Sequence, residues 1–145
     1  MKIFYTVEIN AQIEKTFDCV NNSEKLKLWM EGLQEVNVDP NADKDNPVGA
    51  KFRHKIKEGG KIKEYNGEIT AYKLPTLLGV RIYDKMFTVD VLYKFESAGD
   101  KTILNYEADL VFGTKFAQLL GYLFSWFTKR LLVKQMSNLK ALAEK

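Results

Sequence analysis

The chain has 145 residues, 46% of them hydrophobic and 28% charged, with a formal net charge of +3 at pH 7. These proportions suit a soluble globular fold and exclude a disordered or fibrous chain, and so small a charge does not by itself call for a nucleic-acid partner. The single cysteine, Cys19, excludes an internal disulfide framework and suits a reducing compartment such as the cytoplasm.

The N-terminal "MKIFYTVEIN" alternates apolar and polar residues, which puts Ile3, Tyr5, Val7 and Ile9 on one face of a first strand. This alternation, with Glu8 early, lacks the continuous apolar run of a signal peptide. Asn10 is placed to cap a short helix, "AQIEKTFDCV", where Cys19 falls among core positions, and Asn22 or Ser23 caps a second, "EKLKLWM". A strand near "LQEVNVD" runs into the polar loop "PNADKDNPVG". No internal repeat, low-complexity run or linker interrupts the chain, so one domain spanning 1–145 is expected.

Three hairpins follow from their turns. Gly59-Gly60 in "EGGK" pairs His54 with Tyr65 and Phe52 with Gly67 on one face, and Lys51 with Glu68 and Lys55 with Glu64 on the other. A turn at Asp84-Lys85 pairs Ile82 with Phe87 and Val80 with Val89. A turn near Gly99-Asp100 pairs Phe95 with Leu104, Tyr93 with Tyr106 and Val91 with Ala108. Each register also collects the apolar residues on one face, which a one-residue slip would scatter. The product is an antiparallel meander whose apolar face must be covered.

The last segment supplies the cover. After Gly113-Thr114, residues 115–143 have helical spacing and no proline. Phe116, Leu119, Leu120, Leu123 and Phe127 form one stripe, and Leu132, Met136, Leu139 and Leu142 form another, rotated around the helix. Two such stripes predict a bend near Lys129-Arg130 or a helix wrapped on a curved sheet. The most apolar stretch, "LLGYLFSWFTKRLL", is too short between Lys115 and Lys129 to cross about 30 Å of hydrocarbon.

In this order of elements the chain resembles the helix-grip fold of the START-like (SRPBCC) superfamily, which includes birch-pollen-type allergens and polyketide cyclase/dehydrase-like bacterial proteins. "EINAQIEKTFDCV" resembles the opening strand and helix, with Gln12 where a proline is usual. "VGAKFRHKI", "GEITAYKLPTLL", "YKFESAGDKTILNYE" and "NLKALAEK" occupy the expected places, so the resemblance covers nearly the whole chain. These are diffuse patterns rather than catalytic signatures. The resemblance implies an α+β fold in which a curved antiparallel sheet grips a long C-terminal helix, with two short helices after strand 1. It also implies a cavity between sheet and helix for lipids, sterols, polyketides or other apolar molecules. Some members of the superfamily are enzymes, many bind or carry, and a few act as adaptors.

A small apolar or amphipathic molecule is therefore the expected partner. Its expected walls on the sheet are Phe52, His54, Tyr65, Phe87, Val89 and Val91, with the inward tyrosines Tyr93 and Tyr106. Leu120, Leu123 and Phe127 face it from the helix, and Trp29 stands near the entrance. His54 is the only histidine and points inward beside Tyr65. It can orient a ligand or, in a cyclase- or dehydratase-type enzyme, act as acid or base with Tyr65 or Tyr93 as partner. An adaptor with a filled core is the remaining alternative.

The outer surface carries less chemistry. In the basic run "KFRHKIKEGGKIK", Glu64 and Glu68 stand opposite lysines, and the covering helix removes the aromatic sheet face an RNA would need, so no nucleic acid is expected. Asp90 and Asp109 face each other with Arg81 diagonally placed, and read as solvated carboxylates. Trp126 beside Lys129 and Arg130 leaves a transient membrane-surface contact open. No zinc spacing, nucleophile elbow, P-loop or dinucleotide fingerprint occurs, so neither metal nor cofactor is expected. The oligomeric state is not legible.

Overall fold

The computed structural model describes residues 1–115, 118, 119, 121 and 125–145, with side chains from 128 onward in the last range. Its strands are β1 (Lys2–Ile9), β2 (Leu33–Val38), β3 (Lys51–Glu58), β4 (Lys61–Lys73), β5 (Leu77–Tyr83), β6 (Phe87–Ala98) and β7 (Lys101–Phe112). Helices α1 (Ile13–Asn21) and α2 (Ser23–Trp29) lie between β1 and β2, and α3 (Ser125–Ala143) follows β7. All seven strands join one antiparallel sheet in the order β1-β7-β6-β5-β4-β3-β2. This is the curved α+β helix-grip architecture.

The first and third hairpins have the register their turns predict: His54 pairs with Tyr65, Phe52 with Gly67, Tyr93 with Tyr106 and Val91 with Ala108. The second is displaced by two residues. Ile82 pairs with Val89 and Val80 with Val91. The turn is wider than Asp84-Lys85: the Asp84 carboxylate accepts the Met86 and Phe87 N–H groups at 2.7 and 3.0 Å, and the Asp84 N–H donates to the Phe87 carbonyl. A shift of two returns every side chain to its own face, so alternation cannot detect it.

The helix caps divide. The Asn22 side chain accepts the Glu24 and Lys25 N–H groups at 2.9 and 3.3 Å and so starts α2. Asn10 does not cap α1. Gln12 occupies that position without a side-chain capping bond, and the Asn10 N–H donates to Glu144 instead.

One core lies under α3. Leu132, Met136, Leu139 and Ala143 pack with Phe17 and Val20 of α1 and with Phe95, Leu104 and Ala108 of the sheet. Met136 and Leu139 are 1% and 0% exposed, burial that stabilises by about 1.5–3 kcal/mol per side chain. α3 runs unbroken through Lys129 and Arg130. Of the preceding stripe, Phe116, Leu120, Leu123 and Phe127 lie outside the described side chains, as do Phe124 and Trp126. Leu119 is described, and it is 56% exposed rather than packed. Gly121 explains this: a Cβ there would stand 2.5 Å from the Phe112 ring, so the Gly121 side meets the sheet. Positions two apart on a helix face nearly opposite ways, which sends Leu119 outward.

Candidate functional site

The ladder β3–β4–β5–β6 turns Phe52, His54, Tyr65 and Tyr93 toward α2 and the helix side of the sheet. Between these strands, β2 and α2 lies a cavity of about 80 Å3, lined by Phe52, His54, Val80, Ile82, Tyr93 and further apolar residues. Glycine sets the place of one wall, Phe52. A Cβ on Gly67 would stand 2.3 Å from the Phe52 ring, so this ring lies flat on the glycine across the strand pair. The Phe52 and His54 rings are 4.8 Å apart.

His54 is 5% exposed, and its Nδ1 has no hydrogen-bond partner among the described residues. Burial lowers its pKa to about 4, so the imidazole is neutral at pH 7. Tyr65 is its ladder neighbour but not its partner: the Tyr65 hydroxyl donates to the Glu58 carboxylate at 2.9 and 3.0 Å. Burial, then that bond and the Glu58 charge, push the phenol's pKa up. Burial does the same to Tyr93. Tyr93 meets Tyr106 edge-on at 5.3 Å, and burial pushes Tyr106 up to about 12.

A second chamber of about 470 Å3 opens at the end of the sheet where β3 meets β4 and β5 meets β6. Glu58, Lys63, Phe87, Val89, Leu110 and Phe112 are among its walls. Tyr65 stands between the two spaces, beside His54 in the ladder and 5.8 Å ring to ring from Phe87.

The expected walls therefore separate. Phe52, His54 and Tyr93 line the inner cavity, and Phe87 and Val89 the outer chamber. Val91 belongs to the packed core, and Tyr106 packs against it. Leu120, Leu123 and Phe127 fall outside the described side chains. Trp29 is not at an entrance. It is 1% exposed in the core, and its Nε1–H donates to the Cys19 carbonyl at 2.8 Å. Sequence reasoning missed Leu26 of α2, Met30 just after it, and Val36 and Val38 of β2, all cavity-lining. The signals were present: Leu26 and Met30 are four apart, a helical spacing, and Val36 and Val38 alternate in "LQEVNVD".

On the outer face the charges pair off. Glu68 lies 3.9 Å from Lys51, Glu64 pairs with Arg53 at 3.2 Å rather than with Lys55, and Lys55 reaches Glu35 at 3.3 Å. Arg81 lies directly opposite Asp90, a consequence of the shifted β5–β6 register, and binds it through two bonds of 2.7 and 3.1 Å. Asp109 lies 4.0 Å from the N-terminal amine. A hollow of about 820 Å3 is lined by Asn37, Lys51, Arg53 and Asn66 together with Val38, Phe52, Gly67 and Tyr83. Among the described residues, no three His, Cys, Asp or Glu side chains are grouped to hold a metal, and no helix is long and apolar enough to cross a membrane.

Comparison with known proteins follows the same outline. The family described as polyketide cyclase/dehydrase and lipid transport matches residues 1–144. A search of curated proteins returned no match. Among solved structures, the Zhui aromatase/cyclase from a Streptomyces species superimposes with a TM-score of 0.78 at 11% identity, covering 99% of this chain and 93% of that one. Ara h 8.0201 gives 0.75 at 15% identity, with 99% and 97% covered. Protein TTHA0849 from Thermus thermophilus gives 0.72 at 14% identity, also covering 99% and 97%. Identities this low establish the shared fold and carry no activity across.

Proposed function

The chain belongs to the polyketide cyclase/dehydrase and lipid transport family, and we propose that, as a single domain, it binds a small, largely apolar molecule between its sheet and the C-terminal helix. His54 carries this reading. Its Nδ1 is out of water, without a partner among the described residues, in a cavity whose other walls are mainly hydrocarbon. A buried polar atom left unpaired costs roughly 1–3 kcal/mol, which a ligand hydroxyl or carbonyl would recover, according to the imidazole tautomer.

The polar group of the ligand would sit at His54 and its apolar body against Phe52, Val80 and Ile82. A longer ligand would pass Tyr65 into the chamber of Phe87 and Val89, with Leu120, Leu123 and Phe127 as its helix-side walls. Because His54 and Tyr93 are both neutral at pH 7, the buried part of the ligand would be uncharged. Binding or carriage accounts for these features better than catalysis does. A base with a pKa of about 4, whose Nδ1 has no orienting partner among the described residues, is poorly matched to proton abstraction at neutral pH, and Glu58 already holds the Tyr65 hydroxyl. A reducing cytoplasm suits the buried, free Cys19.

The test is calorimetric titration with 2-naphthol, a small apolar ring bearing one hydroxyl. The wild type should bind it, His54→Phe should bind about tenfold more weakly for the loss of one buried hydrogen bond, and Val80→Phe, which fills the cavity, should not bind. Equal binding by all three would place the molecule elsewhere and overturn the reading.

A further inference from the structure

The end of the sheet where the outer chamber opens carries features that ligand binding leaves unused. Since the strands alternate in direction, the β3–β4 turn, the β5–β6 turn, the start of β1 and the end of β7 all lie at this end. They surround one opening, because Met1, Glu58, Lys63, Met86, Phe112 and Gly121 line the same chamber. Large apolar side chains are exposed at this end of the sheet: Met86, on the chamber wall, is 51% exposed and Leu119 56%, while Ile62 at 65% and Val111 at 59% stand on the outer side of the strands. Exposed apolar residues scattered singly are ordinary, but here they gather on different segments at one end of the sheet.

Lysines stand among them. Lys57, Lys61, Lys85 and Lys115 are exposed, and none makes an ion pair with a described residue. The neighbouring carboxylates are occupied: Glu58 holds Tyr65 and Lys63, and Asp84 accepts the N–H groups of its own turn. The rim thus combines unneutralised positive charge with separate apolar tips.

We propose that this end of the protein docks reversibly on an anionic lipid surface. The lysines are drawn to anionic head groups, while Ile62, Met86 and Leu119 enter the boundary between head groups and acyl chains. Tips held on separate segments suit a deformable surface, whereas a rigid protein partner would ask for one continuous apolar patch. Docking turns the chamber mouth toward the lipid. The surface is distinct from the His54 cavity, so the proposal stands whatever that cavity holds.

The full chain is sedimented with vesicles of phosphatidylcholine, with and without phosphatidylserine, at low and high salt. Binding is expected only with phosphatidylserine, and it weakens as salt rises. The double variant Lys61→Glu/Lys85→Glu should bind at least about tenfold more weakly, and Ile62→Ser/Met86→Ser should bind more weakly as well. Leu74→Ser, an exposed position on the turn at the opposite end of the sheet, should match the wild type. All these positions are exposed, and each variant is first checked for folding by thermal melting. The proposal is overturned if neither vesicle binds, if both bind equally, or if the tip variants bind like the wild type while Lys129→Glu/Arg130→Glu on α3 abolishes binding.

Discussion

His54 is kept neutral by its surroundings, and this gives the stability of the protein a pH dependence of known sign. Its folded pKa of about 4 lies below the 6.5 of the unfolded chain. Above pH 6.5 neither state takes the proton. Between 6.5 and 4 the unfolded chain binds it and the folded protein does not, so stability falls as pH falls and levels off below 4. The full loss is about 3 kcal/mol, and urea unfolding of wild type and His54→Gln at pH 7, 5.5 and 4.5 should show most of it in the wild type and not in the variant. Gly67→Ala is expected to cost about 1–3 kcal/mol in the same assay, because the new Cβ displaces the Phe52 ring that lies on it. The inward direction of Phe52 and His54 was legible, since the Gly59-Gly60 turn fixes their register and the alternation fixes their face. The place of Trp29 was not: a large indole is seldom fully buried, and its partner, the Cys19 carbonyl, is a backbone atom ten residues away that no side-chain pattern announces.

Turns and helices show the same division between what a pattern encodes and what a particular hydrogen bond decides. The alternation in β5 and β6 says which face each residue takes, and it says the same for registers two residues apart. The choice between them rests on the Asp84 carboxylate, which gathers two N–H groups and widens the turn. Asp84→Ala should cost about 1 kcal/mol in chemical denaturation, with faster amide exchange at Ile82 and Val89, the pair one step beyond Tyr83 and Thr88 at that turn. α3 was legible through Leu132, Met136 and Leu139, whose spacing marks one buried stripe. Leu139→Ala should cost about 2–5 kcal/mol, with no effect on the character of any bound ligand, because Leu139 lies in the packed core and not on the cavity. Leu119 had the same helical spacing and faces outward. Its stripe was read without the Gly121–Phe112 contact that orients the segment.

Taken whole, the molecule divides its concave face between two tasks. Under the C-terminal half of α3 the sheet is packed solid with α1 against β6, β7 and β1. Toward β2–β5 the packing gives way to the His54 cavity and, past Tyr65, to the chamber rimmed by lysines and apolar tips. The order of elements was readable across the chain because the Gly59-Gly60 and Gly99-Asp100 hairpins check themselves by turn and by face, and alternation alone suffices to place β5 beside β6. The extent of the empty space was not readable, since volume depends on how side chains from different elements meet. The central claim, that this space holds a molecule, is tested most directly by mass spectrometry of an organic extract from freshly purified protein. Val80→Phe and a mock purification serve as the comparisons. The account predicts an apolar compound carrying a hydroxyl or carbonyl, near one per wild-type chain and missing from Val80→Phe. Extracts indistinguishable across all three would contradict it and leave a protein whose interior is closed.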